Sequence, residues 1–402
     1  MTETALTPAE LFAQVLDRAN RPNPYPLYAG LRATPVARLA DGYYAVSTYA
    51  EVATLLHDPR IGKDQRKSAT PPSVRSIVAN PPFLFLDPPE HDWLRARVMH
   101  QFTPARVGGM HERVVALVDE MLEAQRDQGR IDIVDDLAYP LPVTVICELL
   151  GIPREDEPRF HGWANILAHA LDPDPGQEMT QDMPRAIQEI AAYMGHLIAE
   201  RRAHPTGDLL SGLAIGDDPG GRMDDANLVT TMVLLLIAGH ETTVNLITNG
   251  MLTLLRYPAE LERLRMQPER VPIVVEELLR YEPPVQFVAR FALTDIDIAG
   301  VTIPRGTGVR LLIAAGNRDP QRFQDPDRFD PERPDNRHLG FGGGIHYCVG
   351  APLARIEAHV VLSTLARRLV NPRLLEDPPP YRSNAVLRGP QHLPVAFDRL
   401  AD

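Results

Sequence analysis

Cysteine is nearly absent from this 402-residue chain: Cys147 and Cys348 are the only two. Two thiols cannot build a disulfide framework, which excludes a small secreted scaffold. Lysine is equally scarce. Of the 41 basic residues only Lys63 and Lys67 are lysine, leaving 39 arginines, and 53 acidic residues bring the net charge to −12. That balance argues against nucleic acid as a partner. Long apolar runs are missing too: the most apolar window, Met232 to Ala238, is far below the ~18 residues that suggest a membrane span. The start at Met1 carries neither a basic nor an apolar leader, and no repeat or low-complexity tract occurs. The expectation is a cytoplasmic protein with no membrane association.

What is present reads as a large globular chain, 44% apolar and 23% charged, with 39 prolines, about twice the usual ~5% share. Helical signals dominate. Thr7-Pro8 and Thr103-Pro104 each place a hydroxyl N-cap before a proline at the first helical position. Further helices are expected over Pro140 to Leu150, stopping at Gly151; over Ala186 to Arg202; and from Asp224-Asp225 to Tyr257, where Pro258 ends the run. The last of these is apolar almost all round between Val229 and Ile237, as suits a helix through the middle of a protein. Strand signals are few: Tyr43 to Val46, Ile296 to Ile303, Val309 to Ile313 and Leu393 to Phe397. With strands at both ends and helices between, the chain reads as one mainly α (α+β) domain over 1–402. Asp319 to Arg337 has no period and is expected as a long ordered loop.

The segment from Phe341 to Pro352 packs Gly342, Gly343, Gly344 and Gly350 around Cys348. Glycines at this density suit a backbone that turns sharply or lies against something flat or bulky. Cys348 directly precedes a helix expected over Ala351 to Leu369, whose dipole and free amide hydrogens favour a thiolate able to ligate metal. Two other readings stand beside this one: a buried structural cysteine, which suits Cys147, and a zinc site using His338, His346 and Cys348, without paired-cysteine spacing. In the central helix, Ala238-Gly239-His240-Glu241-Thr242 sets a glycine and a carboxylate among apolar residues. Thr242 can turn its hydroxyl to the Ala238 carbonyl, loosening the helix, and Glu241 can carry protons; a simple local kink is the alternative. Glu277 and Glu276 are three and four residues from Arg280 on one helix face, an arrangement that also suits an exposed ion pair.

Phe341-x-x-Gly344-x-x-x-Cys348-x-Gly350 resembles the haem-binding loop of the cytochrome P-450 monooxygenases, soluble bacterial members most of all, and the resemblance runs from Pro24-Tyr25-Pro26 to Leu393-Pro394-Val395. It implies that family's fold, a mostly helical triangular body with a small β-rich portion. It implies haem b with Cys348 as the metal ligand, Phe341, Gly350 and Ala238 against the cofactor, and His91, Arg95, Arg290 and His346 as partners for its propionates. Glu241 and Thr242 match the family's acid–alcohol pair: Thr242 hydrogen-bonding dioxygen and a water, Glu241 relaying protons. Glu277, Arg280 and Arg333 match a structural triad behind the cysteine loop.

The implied activity is insertion of one oxygen atom from dioxygen into an unactivated C–H bond of a medium-to-large apolar molecule of polyketide, macrolide, terpenoid/steroid or fatty-acyl type. The family's non-hydroxylating chemistries, such as isomerisation or peroxide-driven reactions, are the alternative. No flavin or nicotinamide motif is present, so electrons are expected from a ferredoxin and an NAD(P)H-dependent reductase, docking on the cysteine side near Arg95. Substrate contacts are expected from Phe83 to Phe85, Ile237, His240, Phe287 to Ala289, Val386 and Leu387, and from a mobile segment between Phe160 and Pro184.

Overall fold

The computed structural model describes residues 6–69, 80–168, 177–216 and 221–402. Its organising element is the central helix, Asp225–Arg256, 32 residues long. Asp224 caps it by accepting the Asn227 amide hydrogen at 2.7 Å, and it ends at Tyr257, one residue before Pro258. The helix is long and apolar enough to cross a membrane, but two-thirds of its most apolar stretch (67%) is buried inside the protein. It packs on the Pro140–Leu150, Gln177–Ala203 and Ala351–Arg368 helices. Leu236, Ile247 and Leu254 are wholly buried there, each worth about 1.5–3 kcal/mol of transfer free energy.

The caps foreseen in the sequence are made. Thr7 and Glu10 form a reciprocal capping box at Pro8–Leu16, Thr103 accepts the Arg106 amide hydrogen, and Gly151 ends Pro140–Leu150 in the left-handed region at φ +78°. The helix expected from Ala186 instead starts at Gln177 and carries Pro184 inside it. Burial of Met183, Ala186, Ile190 and Met194 along one face outweighs the local penalty of an internal proline. The sequence predicts a mobile segment from Phe160 to Pro184. It contains the end of Glu157–Ala168, where Phe160 meets Trp163 and Tyr193 edge-on at 5.0 and 5.1 Å; its Asp-Pro-Asp-Pro-Gly stretch lies outside the described residues.

The largest sheet has five strands in the order 36–38, 44–46, 308–311, 288–292 and 61–62. Ile296 to Ile303 forms a tight hairpin turning at Ala299 and Gly300, both with positive φ. The expected strand over Val309 to Ile313 is Gly308–Leu311, because Ile313 opens a short helix, Ile313–Asn317. Near the C-terminus the strand is Pro394–Ala396, and the Cys348 helix ends at Arg368, one residue early. Asp319 to Arg337 contains no helix or strand, yet it is fixed. Arg280 donates to the carbonyls of Asn317, Pro326 and Arg328, and Glu277 accepts the Asp330 amide hydrogen at 2.9 Å.

Candidate active site

The cysteine loop closes through the Cys348 amide, which donates to the Phe341 carbonyl at 3.0 Å. Gly344 has φ +62°, and a Cβ there would lie 2.3 Å from the Leu56 carbonyl oxygen. The end of the Tyr49–His57 helix therefore demands this glycine, rather than the flat group its density suggested. Gly350 is different: a Cβ on it would meet no protein atom within 4 Å. The Cys348 side chain is accessible but lies deep enough among protein atoms for desolvation to raise its pKa. Desolvation outweighs the Gly350 and Ala351 amides and the Arg95 and Arg355 charges, all of which favour the thiolate. The helix-terminus amides thus act in the expected direction, against the desolvation. Phe341 is covered by the Arg355 guanidinium, 4.5 Å from its ring centre.

Around this loop, cationic and imidazole groups converge, with one carboxylate, Asp92, bonded to them among the described residues. His91 and Arg95, on the Glu90–Gln101 helix, share a face. His91 is buried, gives Nδ1 to Asp92 at 2.8 Å and leaves Nε2 without a partner. Its ring lies 4.5 Å from that of His346, whose two nitrogens are both buried and unpartnered. Burial pushes the His346 pKa down to about 2, aided by the nearby Arg290, Lys63, His91 and Arg95. Arg290 is buried, donates among the described residues to its neighbour's carbonyl, and has its pKa lowered to about 10 by burial. Arg95 donates to the Tyr347 carbonyl at 2.5 Å. Lys63, which no motif singled out, joins the group. Its only sequence signal was the scarcity of lysine.

Opposite in character is the face of the central helix at Ala238 and Thr242. Ala238 is exposed although it sits mid-helix among buried neighbours, so an internal opening reaches the helix there. The Thr242 hydroxyl donates to the Ala238 carbonyl at 2.8 Å, as its spacing suggested. Glu241 is buried and ion-paired to Arg382, a partner 141 residues away that sequence reasoning missed. His240 does not face an opening. It is 0% exposed, its ring 4.5 Å from Tyr139, and burial lowers its pKa to about 3. Phe287 is likewise core, packed edge-on against Phe12 at 5.6 Å, and Leu387 is buried. A zinc set of His338, His346 and Cys348 is not assembled: His338 Nε2 pairs with Glu276, and the grouped ligand types among the described residues are Asp132, Asp135 and His392.

Residues 45–393 match the family model for cytochrome P450. The chain belongs to the cytochrome P450 family. It is 39% identical over 409 residues to cytochrome P450 monooxygenase PikC of Streptomyces venezuelae, covering 98% of this chain and 96% of PikC. It is 38% identical to the vitamin D(3) 25-hydroxylase of Pseudonocardia autotrophica, over 93% of this chain and 94% of that enzyme. Ligand-free CYP164A2 of Mycobacterium smegmatis superposes with a TM-score of 0.90 at 42% identity, covering 96% and 99% of the two chains. The architecture is the P450 fold, and the protein is a haem-dependent monooxygenase. The residues present fit haem. An accessible thiol, a glycine that leaves open space beside it, and buried nitrogens of His91 and His346 awaiting acceptors are what a P450 needs to hold a dianionic porphyrin.

Proposed function

We propose that the whole chain, 1–402, is one P450 domain that hydroxylates an unactivated C–H bond of a bulky, mostly hydrocarbon small molecule, drawing electrons from a separate ferredoxin and its NAD(P)H-dependent reductase. Haem, when bound, supplies the activation of dioxygen. In this reading Cys348 ligates its iron, and His91, Arg95, Arg290 and His346 donate to its propionates. Phe341, Gly350 and Ala238 lie against the macrocycle. Thr242 orients dioxygen and a water with a hydroxyl already committed to the Ala238 carbonyl. Glu241 holds and passes protons beside it, its carboxylate steered by Arg382. Exclusion of bulk water falls to the apolar residues around the opening, among them Leu84, Phe85 and Ile237, all partly buried.

The observation that carries this reading is the set of buried, unpartnered imidazole nitrogens of His91 and His346 with the buried Arg290, next to an accessible thiol. Apolar substrates are supported by the partly buried Leu84, Phe85 and Ile237 and by a relative whose name gives vitamin D(3) as its substrate. The test is an absorption spectrum of the reduced, carbon-monoxide-treated protein: a thiolate-ligated haem spectrum in the wild type, lost in Cys348→Ala. Displacement of iron-bound water by polyketide, steroid and fatty-acid titrants then ranks the substrate classes. Binding of polar ligands in preference to all of these would overturn the apolar assignment.

A further inference from the structure

We infer that Lys63 is an additional cofactor-anchoring residue, donating to a haem propionate together with Arg290. The inference rests on the haem reading above. Its basis is the register of the five-stranded sheet. Ile61 pairs with Ala292 and Gly62 with Phe291 in an antiparallel ladder, so the next pair in that register sets Lys63 opposite Arg290. Side chains directly opposite on neighbouring strands share a face of the sheet. Two like charges in that position repel, and here the repulsion acts in a partly desolvated setting, since Arg290 is buried.

Among the described residues neither side chain is in an ion pair, and the one charge that favours the Arg290 cation is Asp87. Lys63 Nζ makes no ion pair; it lies 5.2 Å from the ring centre of Phe85, in the loop before the His91 helix. The nearest carboxylate, Asp87, is already engaged, accepting the Lys63 backbone amide at 2.7 Å and the Lys67 ammonium at 2.9 Å. It is also wedged against the backbone, where a Cβ on Gly62 would come within 2.6 Å of its Oδ2. Burial, then Arg290, holds the Lys63 pKa well below that of a free lysine. A half-buried lysine beside a buried arginine, with the local acid spent elsewhere, is stabilised by an external anion that joins the two. Phe85 shares one helical turn with Phe83, whose ring lies 6.3 Å from that of His91, and the His91 ring lies 4.5 Å from that of His346, two residues before Cys348, which puts the missing anion at the edge of the cofactor. The composition fits as well: in a chain that otherwise uses arginine, one of two lysines stands here.

The test compares holoenzyme variants for haem release to excess apomyoglobin and for the iron midpoint potential. Lys63→Met should release haem about tenfold faster, the scale of one charge-assisted hydrogen bond. It should also lower the midpoint potential, because removing a nearby positive charge favours the ferric state. Lys63→Arg should restore both, which a purely steric role would not do. Wild-type haem retention combined with unchanged release and potential in Lys63→Met overturns this inference alone. A wild type that purifies without haem despite supplied porphyrin overturns the cofactor reading and this inference with it.

Discussion

At the scale of single residues, burial decides more than sequence neighbours do. His240 sits in the central motif, yet its ring is enclosed by Tyr139 and the Glu157–Ala168 helix and its pKa falls to about 3 from an ordinary 6.5. The unfolded chain therefore binds one more proton than the folded one between those values, and stability falls as pH drops through that window. The slope from this one group approaches about 1.4 kcal/mol per pH unit. His240→Leu is expected to flatten the decline in melting temperature between pH 6 and 4; an unchanged slope would mean the imidazole charges in place. Thr242 presents the opposite case, a side chain whose local bond was legible. Replacing it with alanine removes the donor to the Ala238 carbonyl and is expected to lower product formed per reductant consumed, measured as peroxide released. Arg382→Ala leaves the buried Glu241 carboxylate unpaired and is expected to cost about 2–3 kcal/mol in chemical denaturation, less than a fully buried pair because Arg382 is partly exposed.

Among the elements, two glycines of one loop separate folding from function. Gly344→Ala forces a Cβ against the Leu56 carbonyl at a positive φ and should destabilise the fold whether or not cofactor is present, by about 1–3 kcal/mol. Gly350→Ala meets no protein atom and sits at φ −81°, so the polypeptide tolerates it; lowered haem occupancy at unchanged apoprotein melting is the expected outcome. Parallel logic explains which elements were readable. Caps at Thr7, Thr103, Asp224 and Gly151 are set by residues within four positions of the turn they close, and a linear sequence displays them. The Gln177–Ala203 helix was misjudged at its start because its stability around Pro184 comes from tertiary burial of Met183 and Ile190. Glu277 and Arg280 were identified as a pair, but only the fold shows both at 0% exposure, using four backbone groups to set the loop from Asn317 to Asp330. Arg382 and Lys63 were out of reach, since each matters through a partner more than 140 residues away.

For the molecule as a whole, charge and exposure constrain how electrons arrive. The chain carries −12, and an acidic ferredoxin is therefore repelled at long range unless a local basic patch intervenes. Arg95, expected to contribute to one, donates to the Tyr347 carbonyl, while Arg355 is bound to Glu276 and Arg66 to Asp64 and Glu90. The exposed side chains beside Cys348 include two large apolar ones: Ile345 is 47% exposed and Tyr347 41%. Docking through such a patch gains from dehydration rather than from charge pairing. The rate of first-electron transfer from an acidic ferredoxin is accordingly expected to hold or rise as salt goes from about 50 to 200 mM, where the Debye length shortens toward ~7 Å. Ile345→Asp should slow it about tenfold by placing a charge in the contact. Stopped-flow reduction under carbon monoxide measures both effects, and a rate that falls steeply with salt would instead show that arginines now paired within the protein are released to meet the partner.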